Sequence, residues 1–192
     1  MRIIESIKQS IEVKQAILSS TQLLSEIRKV AVACISAYSR GNKVLLCGNG
    51  GSAADAQHIA AELSGRFYYD RPPLSAEALH TNSSYVTAVA NDYSYEDIYS
   101  RAVQASGKKG DVLIGISTSG NSENVIRAMK TARDMGLQTI GFTGESGGKM
   151  VDVSDYLIAV PSTDTPRIQE SHILIGHIIC ELVETALFPK ED

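Results

Sequence analysis

The chain is poor in several features that would have fixed its class at once. It has only three cysteines, Cys34, Cys47 and Cys180, widely spaced in apolar surroundings and without a Cys-x-x-Cys pair. That excludes a zinc knuckle and a dithiol redox motif, and leaves buried, reduced thiols as the expectation. No apolar run approaches the roughly 18 residues needed to cross a bilayer. The opening MRIIESIKQS lacks the uninterrupted apolar core of a secretion signal. There is no excess of positive charge: the formal net charge is −4, which gives no reason to expect nucleic-acid binding. No Gly-Lys-Ser/Thr sequence occurs, so a nucleoside-triphosphate P-loop is excluded. Repeats, low-complexity segments and linkers are also missing. The expectation is therefore one domain over residues 1–192, cytoplasmic, without a membrane or nucleic-acid partner. Its 43% hydrophobic and 21% charged content is ordinary for a globular chain with a full core.

What is present is organised around Lys43 to Arg66, KVLLCGNGGSAADAQHIAAELSGR. Val44 to Cys47 reads as a buried strand. Gly48-Asn49-Gly50-Gly51-Ser52 breaks it, and Ala53 to Leu63 is helical by propensity. A strand, a glycine turn and a fresh helix N-terminus with unpaired N–H groups make an anion site. On that helix His58 and Glu62 stand four residues apart, on one face.

Before this unit, residues 3–20 and 22–39 carry apolar side chains at helical spacing. They predict two amphipathic helices (the 1–40 pair) that pack partly on a sheet and partly on a neighbouring subunit. After it, Asp70-Arg71-Pro72-Pro73 is a break. A strand is expected near Ser75–Leu79, with helices over Ser83–Ala90 and Tyr95–Ser106 separated by Asn91-Asp92-Tyr93. Asp111–Ile116 is a strong buried strand running into Ser117-Thr118-Ser119-Gly120-Asn121-Ser122 and a helix from Glu123 to Met135. Gln138–Phe142 and Tyr156–Val160 are further strands, with a glycine-rich loop at Thr143–Gly148. Thr165-Pro166 has the form of an N-cap and first helical position, opening a helix to about Leu187. Alternating strands and helices predict an α/β fold: a five-stranded parallel sheet in three layers, flavodoxin-like, with two additional N-terminal helices. Ligands bind such sheets beyond the carboxyl ends of the strands, where the loops 48–52 and 117–122 lie.

Gly48-x-Gly50-x-x-Ala53 formally matches a dinucleotide fingerprint. The acidic residue it requires about 20 positions on would be Asp70, which falls in the proline-rich break, so a nicotinamide or flavin cofactor is disfavoured. The hydroxyls of Ser117, Thr118, Ser119 and Ser122 suit a phosphate monoester; the plain alternative is a capped turn. His58 and Glu62 alone fit a solvated pair as well as a ligand pair. Their apolar neighbours argue for partial burial, and buried ionisable groups need partners. Gln169 and His177 in the last helix are candidates, and the four would form an N/O site for zinc or another divalent metal. His80 and His172 read as structural.

The loop Cys47–Ser52, His58-x-x-x-Glu62, Gly115–Ser122 and Arg167-Ile168-Gln169-Glu170 with His177 together resemble the bacterial phosphoheptose isomerases of the sugar-isomerase (SIS) fold. The resemblance spans essentially the whole chain. It implies a cytoplasmic homotetramer with one Zn2+ per subunit, acting on a phosphorylated ketose or aldose. The reaction implied is conversion of sedoheptulose 7-phosphate to D-glycero-D-manno-heptose 7-phosphate, at the start of ADP-heptose synthesis for lipopolysaccharide. His58, Glu62, Gln169 and His177 match the family's metal and catalytic residues, with Glu62 and His177 catalytic. Asn49, Gly50, Gly51 and Ser52 match one substrate loop and Asn91 and Asp92 another. Ser117, Thr118, Ser119 and Ser122 match the phosphate loop, while Arg66, Glu62 and Gln169 fall beside the substrate. Some members carry Asp where this chain has Pro166, so any contact by that Asp is lost or passes to Asp164.

Aldose–ketose exchange needs a base that moves a proton between neighbouring carbons and an acid/base at the oxygens. Glu62 is the expected carbon base and His177 the oxygen acid/base. A carboxylate bound to zinc is a poorer base, so Glu62 must shift between the two roles or be held loosely. Gln169 and His177 are eight residues apart, a rise of about 12 Å on a straight helix. That predicts a site shared between subunits, with His58 and Glu62 from one chain and another contributor from the next. Three rival readings are a SIS tetramer that binds the replication initiator, which the ending Ala186-Leu187-Phe188-Pro189 resembles, a phosphosugar-sensing regulator, and an isomerase of another phosphosugar, such as a pentose or hexose phosphate.

Overall fold

The computed structural model describes residues 2–190. Two helices come first, α1 (Arg2–Ser19) and α2 (Thr21–Ser39). Ser20 separates them and caps α2, its hydroxyl accepting from Leu23 N–H at 3.2 Å. The periodic residues of α2 divide as their spacing requires: Leu23, Ile27, Val30 and Cys34 are buried, while Leu24 is exposed. The face of α1 is different. Ile3, Ile4, Ile7, Ile11 and Leu18 are all exposed and only Ile17 is buried.

The alternating part follows as β1 (Val44–Gly48), α3 (Gly51–Ser64), β2 (Ala76–Ala78), α4 (Ser83–Asp92) and α5 (Ile98–Ser106). Then come β3 (Val112–Ile116), α6 (Glu123–Asp134), β4 (Gln138–Gly144), β5 (Tyr156–Val160) and α7 (Thr165–Leu187). All strand pairs are parallel, in the order β2-β1-β3-β4-β5. The strands read as continuous apolar runs because helices cover both faces. Side chains still alternate: Val44 and Leu46 enter the core beneath α2, α3 and α7, while Leu45 and Cys47 enter the one beneath α5 and α6.

The chain moves outward from β1 to β2, then returns to place β3 on the other side of β1. That reversal opens a crevice at the carboxyl ends of β1 and β3, the position at which such sheets bind ligands. Both polar loops of interest start there.

Four boundaries differ from the sequence reading. Asn91 and Asp92 fall in the last turn of α4, not between helices, because the apolar period of Tyr85, Val86 and Val89 carries the helix past Ala90. The segment expected as one helix from Tyr95 is split: Tyr95–Asp97 forms a 3₁₀ turn before α5. β4 continues to Gly144, so its pairing with β5 takes in Thr143 and Gly144. The N-cap of α7 is Asp164, with Thr165 already helical. The three cysteines are buried and unpaired, and burial pushes their thiols up to about 12.

Candidate active site

Gly50 sits at φ +54°, in the left-handed region, and holds the N-cap position of α3 without a side-chain bond. Gly48 must also lack a side chain, since a Cβ there would stand 2.6 Å from Ser52 O. This tight turn starts α3 directly beyond β1, leaving the first amides of the helix at the mouth of the crevice.

α7 lies alongside α3 in the same direction. Gln169 packs its amide against Gly51 at one end of the pair, and Gly176 meets Ile59 further along. A Cβ on Gly176 would come within 2.5 Å of Ile59 Cδ1, so glycine is what permits this approach. The close contact brings together His177, just after Gly176, and His58, just before Ile59. The rings of His58 and His177 stand edge to face, with centroids 4.9 Å apart. Glu62, one turn on, accepts at Oε1 from His58 Nε2 at 3.1 Å. One ligand atom from each of His58, Glu62 and His177 lies within 4.8 Å of the others. Phe67 packs its ring on the far side of His177, at 5.7 Å between centroids.

Zinc ligands bound at about 2.0–2.1 Å are spaced by roughly 3.3 Å when tetrahedral. The imidazole–carboxylate contact already has that separation, and the donor set is of the borderline type zinc takes. The residues present therefore fit the ion. His58, Glu62 and His177 meet within one chain, and of the four expected ligands Gln169 stands apart, against Gly51. Both Gln169 and His177 are in α7, as supposed. His177 reaches His58 across the helix pair, while Gln169, two turns earlier, faces the glycine loop.

The loop after β3 forms the opposite wall. Ser117 is buried and its hydroxyl lies 2.8 Å from that of Ser122 and 3.4 Å from that of Ser119. The Ser119 hydroxyl accepts from Asn121 N–H at 3.1 Å. Gly120, at φ +65°, fits against Gly147, whose carbonyl oxygen would lie 2.1 Å from any Cβ. Thr118 and Ser119 line a polar cavity of about 300 Å³ between this loop, Gly144–Ser146 and the start of α7.

A residue absent from the sequence reading joins the two loops. Asn124, buried in the first turn of α6, exchanges two hydrogen bonds of 2.9 Å with Asn49, amide to amide. Tyr95 donates to the same Asn49 oxygen at 2.9 Å, and Tyr99 donates to Gly48 O. Asn124 follows the hydroxyl run by two residues, and that proximity was the available signal. Asp55, one turn before His58, was also missed; its Oδ2 is enclosed without a partner, and burial raises its carboxyl against the opposing effect of His58. Arg66 is exposed in the loop after α3. Asn91 and Asp92 are exposed and bonded to each other at 2.9 Å. Asp164 and Pro166 line a surface cavity with Arg2 and Arg167, away from the imidazoles. His172 is structural as expected: it is fully buried and its Nε2 is 3.0 Å from Thr143 O.

The parallel sheet, the switch-point crevice and the hydroxyl loop define a class, and residues 9–144 match the model of the SIS domain family. The chain is 58% identical over 182 residues to a phosphoheptose isomerase of Aneurinibacillus thermoaerophilus, covering 95% of this chain and 92% of that one. Solved phosphoheptose isomerases from Neisseria gonorrhoeae and Francisella tularensis superpose with TM-scores of 0.90 and 0.92, at 42% and 36% identity. Each comparison covers 96% of this chain and 97% of the other. The chain belongs to the SIS family and, within it, to the phosphoheptose isomerases; it is an isomerase.

Proposed function

We propose that the protein converts sedoheptulose 7-phosphate to D-glycero-D-manno-heptose 7-phosphate, the first step toward the heptose of lipopolysaccharide, in the cytoplasm. The observation that carries this reading is the convergence of His58, Glu62 and His177 on one spot, at a distance from the anion-binding end of the same helix. Seven residues of α3, a rise of roughly 10 Å, separate Gly51 from His58. That span suits an extended phosphosugar with its phosphate at the hydroxyl loop and its C1–C2 bond at the cluster.

In this reading Ser117, Thr118, Ser119 and Ser122, with the loop Asn49–Ser52, hold the phosphate and the neighbouring hydroxyls through O–H and N–H donors. Arg66, Asn91, Asp92 and Gln169 complete the substrate contacts. Glu62 takes the proton from one carbon and returns it to the next. His177 moves the proton between the two oxygens, and Phe67 shields that imidazole from water on one side. Zn2+ is the ion that His58, Glu62 and His177 would hold, Gln169 of the same chain lying apart against Gly51; when bound it would supply Lewis-acid polarisation of the carbonyl.

The domain assignment is likewise our reading: residues 1–192 as one SIS domain, with the 1–40 helical pair serving oligomer packing. The exposed isoleucines of α1, and Leu174 and Leu182 on the outer face of α7, support a homotetramer. Light scattering gives the mass directly, and a monomer overturns this part. The residues that stand apart from the imidazole cluster, Arg66, Asn91 and Asp92, are the ones a neighbouring subunit's site would use. Mixing His58→Ala with Arg66→Ala subunits under exchange should then restore some activity.

The function itself is tested by assaying a panel of ketose phosphates with and without chelator. Conversion of the seven-carbon substrate, lost on chelation and regained with zinc, is the expected result. Preference for a pentose or hexose phosphate overturns the substrate, and no conversion of any member overturns the isomerase reading in favour of a binding scaffold.

A further inference from the structure

Two turns beyond His177 on α7, Glu184 is buried, its side chain 1% exposed, and it faces Arg71, whose side chain is 2% exposed. Arg71 comes from the segment that reads as a mere proline-rich break. Its Nε–H donates to Glu184 Oε1 at 3.0 Å. Its Nη2 donates to Glu62 O at 2.9 Å, and its Nη1 to Leu63 O at 2.8 Å and to Gly65 and Pro72 O at 3.1 Å. The guanidinium thus takes up carbonyls at the end of α3 and just beyond it, sharing Leu63 O with Leu74 N–H. No basic residue of α3 itself does so.

The carboxylate is used as fully. Glu184 accepts from Phe67 N–H at 2.9 Å and from Tyr68 N–H at 2.7 Å, besides Arg71. The chain between α3 and β2 is therefore wrapped around Glu184, which sets where Phe67 lies. Phe67 in turn packs on His177. One ion pair touches both halves of the proposed proton-transfer pair, the backbone of Glu62 through Arg71 and the ring of His177 through Glu184 and Phe67.

We propose that Arg71 and Glu184 are positioning residues for the isomerase reaction, a buried clamp that fixes Glu62 and His177 relative to one another. The proposal rests on the functional reading given above. A planar fork meeting a carboxylate and four carbonyls is a geometric device, which an ammonium of equal charge cannot reproduce. A buried ion pair is at the same time weak as a source of stability, since desolvation of both charges offsets their attraction. Fixing geometry is the role in which such a pair is most effective.

The test separates position from stability. Removing one partner strands a buried charge and invites unfolding, so the informative variants are Arg71→Lys and the double variant Arg71→Met with Glu184→Met. In the assay of the native oligomer, the double variant should stay folded and lose roughly 10²-fold in kcat. Its KM for the phosphosugar should stay within about twofold, because the hydroxyl loop is untouched. Arg71→Lys should fall between it and the wild type. The ring signal of His177, one of four histidines, should shift in both variants without substrate, as Phe67 moves. Wild-type kcat in either folded variant, or an unmoved His177 signal, overturns the clamp. If the double variant does not fold, Arg71→Lys decides by the same two readouts. If the wild type isomerises nothing on the panel, the functional reading fails by itself, and the His177 signal alone then decides whether the clamp positions that ring.

Discussion

In the hydroxyl loop Ser117, Ser119 and Ser122 already hold one another, and Asn124 already holds Asn49. On the facing helices His58 keeps half its side chain in solvent, and no side-chain hydrogen bond among the described residues involves His177. The first region is saturated by its own polar groups, the serines by near neighbours in sequence and Asn49 by Asn124 from 75 residues away. The second is assembled from two helices whose polar groups meet but remain unsaturated. In the proposed reading the first is a binding subsite, which can be pre-formed because its ligand is always the same phosphate. A reacting subsite has to leave valence free for the atoms it changes.

The largest expected effect falls on the reacting side. Glu62→Gln and His177→Ala should each lower kcat at least ~10²-fold, with circular dichroism unchanged. Wild-type turnover in folded Glu62→Gln would remove that carboxylate as the base and erase the contrast between the two regions.

Next is the support shared by both. His172 anchors α7 to Thr143 at the end of β4, and burial lowers its imidazole from 6.5 to about 4, only partly countered by its bond to Thr143 O. The folded value lies below the unfolded one, so the unfolded chain binds the extra proton. Stability is whole above about pH 6.5 and declines as pH falls toward 4, by roughly 3 kcal/mol in all. Urea titrations at pH 7 and pH 4.5 should show this, and His172→Gln should flatten the dependence. An equal slope in the variant would assign the acid sensitivity elsewhere.

Asn124→Ala should cost about 1–2 kcal/mol of binding by leaving Asn49 without its partner, read as roughly a tenfold rise in KM. An unchanged KM would mean the two loops keep their spacing without the amide pair. The smallest effect belongs to Ser122→Ala, about 1 kcal/mol and confined to the phosphorylated sugar. If the dephosphorylated sugar lost as much, the loop would not be the phosphate site.

Much of this was readable beforehand, and for physical reasons. Strands covered on both faces leave unmistakable apolar runs, and glycine turns at Gly48–Gly51 and Gly120 mark where the backbone must bend. Helical period alone placed His58 over Glu62. What the sequence hides is contact between distant elements. Nothing in Asp70-Arg71-Pro72-Pro73 distinguishes an arginine that caps a helix from one in solvent, and nothing ties it to Glu184, 113 residues later. Asn124 looked like any polar residue in a first helical turn. The rise argument holds for the pair it compared: Gln169 packs against Gly51, while His177, eight residues on, meets His58.

Position 176 sets two demands against each other. Alanine is the better helix former there by about 1 kcal/mol, yet a methyl group would collide with Ile59. The conflict is settled for the gap between the helices and against the helix itself. That gap sets the separation of the two imidazoles, which is thus gauged by a residue that contributes no polar group to the cluster. If the proposed ion is held there, the spacing of its ligands is set by a hydrogen atom in an apolar seam, and it would change without any alteration of a ligand.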